Sequence, residues 1–136
     1  RCDHARNDRT AFMTDTNKET PLPNPGVRLV EEDARCFVWE EFFMPGIATP
    51  PHRHRRDYVA TFPGGGELTI THVAGELETY SLLHGAMEPL PTTEGRARFS
   101  ITPGTIVRSS VPAGGTCHIA LNEGQTPLQM ILLEFK

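Results

Sequence analysis

Long apolar runs are missing from this chain. No stretch approaches the roughly 20 residues a membrane-spanning helix needs, and no leader-peptide pattern opens the sequence. A basic surplus is missing too. Thirteen Lys and Arg against 17 Asp and Glu leave a net charge of −4, which gives no footprint for nucleic acid or an anionic membrane. Cysteine is scarce: Cys2, Cys36 and Cys117 are odd in number, lack the spacing of a metal knuckle, and read as reduced thiols of a cytoplasmic protein. Amphipathic helical periodicity is also lacking. What remains is a chain of 136 residues, the size of one compact domain with its own core.

The pattern present is that of closely spaced strands. β-rich runs cover Val27–Val30, Cys36–Phe43, Tyr58–Phe62, Glu67–Val73, Leu77–Leu82, Ala97–Ile101, Thr105–Arg108, Cys117–Asn122 and Leu128–Phe135. Turn signals separate them, among them Pro45-Gly46, Pro63-Gly64-Gly65-Gly66, Pro103-Gly104 and Gly114-Gly115. This spacing predicts an all-β sandwich or barrel. Alternation in Cys36–Phe43 is blurred, as in a strand covered on both faces by a second sheet or a second subunit. In the final run, Glu134 reads as a solvated edge charge. Residues 83–95, with Pro89 and Pro91, form the longest expected irregular stretch, and read equally as a lid over a barrel mouth or a plain surface excursion.

Residues 1–26 are polar, end in Pro21, Pro23 and Pro25, and show neither periodicity. They are expected to be a flexible segment preceding a domain over 27–136. Met13 is a candidate natural start, and His4 reads as a tail residue.

The chemistry concentrates in Pro45-Gly46-Ile47-Ala48-Thr49-Pro50-Pro51-His52-Arg53-His54. Positions i and i+2 of a strand share a face, so a strand here aims both imidazoles at one point and Arg53 away from it. His118 follows far downstream, in Val111-Pro112-Ala113-Gly114-Gly115-Thr116-Cys117-His118, with Asn122 four residues later on the same face. Two neighbouring imidazoles and one from a distant strand make a site for zinc, iron, nickel or manganese. His72 and His84 lie outside this pattern and read as surface or rim residues. The basic run Arg53, Arg55, Arg56 has no stacked aromatics to make it a nucleic-acid patch. Arg98 and Arg108 would meet an anionic substrate if their strands turned them inward.

These residues resemble the two motifs of the cupins. Pro45-Gly46, five residues, then His52-x-His54 is similar to the first motif. Gly104, Pro112-x-Gly114, His118 and Asn122 resemble the second, with both gaps one or two residues longer than usual. The resemblance implies a double-stranded β-helix, or jelly-roll barrel, forming a homodimer and holding one divalent metal ion on His52, His54 and His118. The family's acidic ligand usually comes four or five residues after the second histidine, where this chain has Tyr58 and Val59. The nearest acid is Asp57, which shares parity with Val59, so Asp57 and Tyr58 are the further candidates for ligand or catalytic group.

Three neutral ligands leave a divalent metal its full +2 charge and open positions for a chelating anion. The expected function is therefore a metal-dependent enzyme acting on a small oxygenated organic acid, diketone or thiol, of dioxygenase, isomerase or lyase type. The alternative is a non-catalytic cupin that binds a small ligand, a reading favoured by the missing acid. Function cannot follow from the fold, because this family hosts both.

Overall fold

Glycines with left-handed backbone and prolines divide the chain into short extended segments that pair antiparallel. The computed structural model describes residues 27–93 and 95–136, so the expectations for residues 1–26, including Cys2, His4 and Met13, lie outside the described residues. The described part contains eleven strands and no helix. In chain order these are β1 (Arg28–Glu32), β2 (Cys36–Phe43), β3 (His52–His54), β4 (Tyr58–Phe62), β5 (Gly66–Gly75) and β6 (Thr79–His84). They continue with β7 (Met87–Leu90), β8 (Arg96–Ile101), β9 (Thr105–Ser110), β10 (Thr116–Asn122) and β11 (Leu128–Phe135).

Two sheets form. One has the order β1-β2-β11-β4-β9-β6, the other β3-β10-β5-β8-β7. Side-chain alternation then builds the interior. On β2, Phe37, Trp39, Glu41 and Phe43 are buried, and on β11 Leu128, Met130, Leu132 and Glu134 are. Tyr58, Ala60 and Phe62 on β4 and Val107 on β9 continue this lining, while Leu68 and Ala120 supply the opposite sheet. The result is the expected all-β jelly-roll barrel, with an apolar core around a lumen.

Each of the nine expected runs carries a strand within about two residues of its expected bounds, and two departures are instructive. Residues 83–95 hold a strand, β7, in which Pro89 pairs with Phe99 of β8. Proline is tolerated there because β7 is an edge strand, where a missing N–H leaves no ladder bond unmade. β2 also alternates cleanly (buried at Phe37, Trp39, Glu41 and Phe43), and its blurred pattern arises because an acid, Glu41, occupies an inward position. Glu134 is likewise not a solvated edge charge. It is buried, and its Oε1 accepts the indole N–H of Trp39 at 3.3 Å.

Cys36 is a free thiol, as expected, and Cys117 is wholly buried. Among the described residues no helix is long and apolar enough to cross a membrane.

Candidate metal centre

β3 is three residues long, and its burial runs buried, half-buried, buried, which is the parity expected for His52-Arg53-His54. It pairs antiparallel with β10, so that His118 stands opposite His52 and Thr116 opposite His54. Arg53 points outward and donates to the Gly114 carbonyl at 2.9 Å. The turn before β10 depends on Gly115. Its φ is +81°, and a Cβ there would lie 2.9 Å from the His54 carbonyl oxygen. Only glycine lets the two strands approach so closely at the site.

The three imidazoles converge. One ring nitrogen of each of His52, His54 and His118 lies within 4.8 Å of those of the other two. Ring centroids are 5.1 Å apart for His52 and His54, 4.6 Å for His52 and His118, and 4.8 Å for His54 and His118. All three side chains are buried. Burial lowers the pKa of each, strongly for His54 and His118, and the neighbouring imidazoles push those two down further. Neutral imidazole is the form that binds a metal. His52 Nδ1 donates to the Pro50 carbonyl at 3.0 Å, which fixes its tautomer and leaves Nε2 with a free lone pair. Nδ1 of His54 and Nδ1 of His118 are buried without a hydrogen-bond partner. Buried, neutral, converging imidazoles are a donor set that fits a divalent transition metal.

Sequence reasoning did not find the fourth polar group. Glu78 lies in the connection before β6, and its Oε1 is 3.7 Å from His118 Nδ1, with both side chains about 95% buried. The same oxygen accepts hydrogen bonds from the hydroxyls of Tyr58, at 2.9 Å, and of Tyr80. Its other oxygen, Oε2, is buried and unpartnered. Burial raises the carboxyl pKa, partly offset by the two phenols, and holds both phenols well above their ordinary range as neutral donors. The signal available was parity: Glu78 and Tyr80 are two residues apart and so share a face.

The other candidates are placed as follows. Tyr58 lines the lumen, its ring centroid 4.8 Å from that of His54. Asp57 is not part of the group: its carboxylate accepts the Val111 N–H at 2.7 Å and pairs with Arg108 at 3.3 Å, partly in solvent. Arg98 is held by Glu67 at 2.7 Å, and neither Arg98 nor Arg108 lines the lumen. His72 is half-buried, 3.3 Å from the Thr116 hydroxyl, and His84 is exposed on an edge strand. Asn122 is a strand-end clamp. Its Nδ2 donates to the carbonyls of Phe43 and Thr126, each at 2.8 Å, and its Oδ1 accepts the Gly124 N–H.

The two sheets enclose a lumen between them. Its walls are mostly apolar, with Phe43, Phe62, Leu68, Phe99, Met130 and Leu132 prominent, and no Lys or Arg among the described residues lines it. Ile70, Tyr80, Met87 and Phe99 are the half-buried members of the lining.

A two-sheet β-barrel with converging buried imidazoles defines a class of small barrels whose site is compatible with a metal ion. Within that class the chain has the cupin fold. It superposes on a cupin domain from Bordetella pertussis Tohama I with a TM-score of 0.59 and 23% identity, over 87% of this chain and 99% of that one. A Cupin 2 conserved barrel domain protein from Salinispora arenicola follows at TM-score 0.49 and 13% identity, over 88% and 84% of the two chains. KdgF from a Halomonas species gives 0.46 and 18%, over 88% and 92%. No protein-family model matches the sequence, and no curated relative does either.

Proposed function

We propose that this protein is a metal-dependent cupin enzyme acting on a small, largely apolar, oxygenated compound that chelates through an enolate, as a diketone does. The observation that carries this reading is the convergence of three neutral buried imidazoles on an apolar lumen, with the buried carboxylate of Glu78 beside them, its Oε1 3.7 Å from His118 Nδ1. A divalent transition metal (iron, zinc, nickel or manganese) held by His52, His54 and His118 would supply Lewis acidity to a bound oxygen pair. The apolar walls bind the carbon body and exclude water. Tyr58 and Tyr80 fix one oxygen of Glu78 by hydrogen bonds, leaving Oε2 turned free to hold or accept a proton. Without a Lys or Arg among the described residues of the lining, a strongly anionic substrate has no partner there except the metal, which favours a diketone or thiol over a polyacid. The non-catalytic alternative drew its support from a missing acid, and Glu78 provides one from another part of the chain.

Homodimerisation belongs to the same proposal. It is supported by the exposed apolar side chains Leu29 and Val30 on β1 and Phe42 on β2, at the outer edge of the larger sheet. Sedimentation at micromolar concentration tests it, and a monomer would retire it.

Elemental analysis of protein purified without a metal-binding tag, beside His52→Ala, tests the enzyme reading. About one metal ion per chain, lost in the variant, is the expected result. Iron then directs assays to oxygen consumption with diketones and thiols, and zinc, nickel or manganese to isomerase and lyase chemistry. Absence of metal from both proteins would overturn the proposal.

A further inference from the structure

Glu41 is an acid in the wrong place for stability. It projects into the lumen from β2, among apolar side chains, and is 2% exposed. Its Oε2 is buried and has no hydrogen-bond partner. A buried polar atom left unpaired costs on the order of 1–3 kcal/mol, and leucine would fill the same space without that cost.

The register locates it. The Asn122–Phe43 hydrogen bond ties the ends of β10 and β2 together at one end of the lumen. His118 lies four residues back from Asn122, and Glu41 two residues back from Phe43. Glu41 therefore faces inward one layer nearer that end than His118, a step of about 6.6 Å along the strand, and from the opposing sheet. One molecule of six to ten heavy atoms spans such a gap.

We propose that Glu41 is a ligand-binding residue, whose carboxylic acid donates a hydrogen bond to the oxygen of an alicyclic or aromatic ketone held in the lumen. This builds on the reading of the lumen as a substrate site and adds what lies at the end of the substrate away from the histidines. The donor state follows from the surroundings. Burial pushes the Glu41 carboxyl up to about 8, so it carries its proton at neutral pH. The other titratable groups lining the lumen are His52, His54, His118, Tyr58 and Tyr80, all held neutral by burial, and none supplies a counter-charge to an ionised Glu41. A protonated acid in an apolar wall satisfies a carbonyl oxygen and rejects a carboxylate. The ring fits against Phe43, Phe62 and Met130, and the ketone oxygen takes the proton that has no acceptor in the protein.

The test uses metal-free protein, so that its outcome is independent of the metal-enzyme reading. Methyl-labelled methionine reports on the lumen through Met87 and Met130, both of which line it. Cyclohexanone and methylcyclohexane are titrated and followed by methyl NMR. The expected result is that the affinity ratio of cyclohexanone to methylcyclohexane is about tenfold higher in wild type than in Glu41→Leu, the worth of one hydrogen bond at about 1.4 kcal/mol. Glu41→Gln, which still offers N–H donors, keeps the wild-type ratio. The same ratio in wild type and Glu41→Leu, no binding of either probe, or a ratio in Glu41→Gln as low as in Glu41→Leu would each overturn the assignment. Thermal unfolding of both variants confirms that the barrel is intact, and Glu41→Leu is expected to melt no lower than wild type.

Discussion

Nδ1 of His118 lies 3.7 Å from Oε1 of Glu78, with both side chains shut away from solvent. The two residues come from strands in different sheets or their connections, and the contact completes a polar group of three imidazoles, one carboxylate and two phenols on one side of an apolar lumen. Carboxylates beside metal-binding histidines set ring orientation and ligand basicity, and removing them typically costs 10–100-fold in metal affinity.

Glu78→Gln is therefore expected to weaken metal binding by about 10–100-fold. The amide oxygen still accepts from Tyr58 and Tyr80, so the fold should hold and the melting temperature of metal-free protein should change little. Competition against a chromogenic chelator measures the affinity. An unchanged value would detach Glu78 from the metal centre.

Glu41 gives the protein a stability profile with a definite sign. Its carboxyl titrates near 4.5 when unfolded and at about 8 when folded. Below pH 4.5 both states hold the proton and nothing is lost. Between the two values the unfolded chain releases a proton that the folded one keeps, so stability falls as pH rises, by up to about 1.4 kcal/mol per pH unit. The histidines act in the opposite sense: their folded values lie below 6.5, so stability is lost as pH falls beneath that point. In metal-free protein, Glu41→Gln should remove the decline between pH 6.5 and 8 and steepen the histidine-driven rise between pH 5 and 6.5. Melting temperatures across pH 5 to 9 check this, and parallel curves for the two proteins would refute it.

The outline of this molecule was legible because turns and alternation are local signals. Pro45-Gly46, the Pro63–Gly66 turn and Gly114-Gly115 punctuate strands whose bounds follow from parity, and His52-x-His54 carries its geometry in its spacing. Glu78 and Glu41 were not legible, since each looks like a solvated acid until strands distant in sequence are laid beside it. A glutamate interrupting Cys36–Phe43 blurs the alternation, whereas in the barrel it is a buried inward-facing group. β7 was hidden by Pro89, which counts against a strand except at an edge, and edges are defined only by the sheet order.

Asn122 separates scaffold from site. Its amide makes three hydrogen bonds, to the Phe43 and Thr126 carbonyls and from the Gly124 N–H, and the side chain is 1% exposed. Asn122→Ala leaves these backbone groups unpaired and is expected to cost about 2–4 kcal/mol in chemical denaturation. Metal stoichiometry should stay at the wild-type value, because the clamp lies four residues from His118 and touches none of the imidazoles. Loss of metal from a folded Asn122→Ala protein would show that the clamp positions the centre.

Gly115 ties the fold to the site more directly. It holds φ at +81°, where other residues are strained by about 1–3 kcal/mol, and an added Cβ would meet the His54 carbonyl oxygen at 2.9 Å. That oxygen belongs to the backbone of a short strand and cannot swing aside as a side chain would. Relief has to come from moving β3 away from β10, which separates His54 from His118. Gly115→Ala is thus expected to lose stability and weaken metal binding together. Gly114→Ala is the matched control: its φ is ordinary, a Cβ there meets nothing within 4 Å, and its carbonyl still receives Arg53, so both properties should stay near wild type. Denaturation and chelator competition on the pair decide the matter, and a Gly115→Ala protein with wild-type metal affinity would mean the strands need not touch so closely for the centre to form.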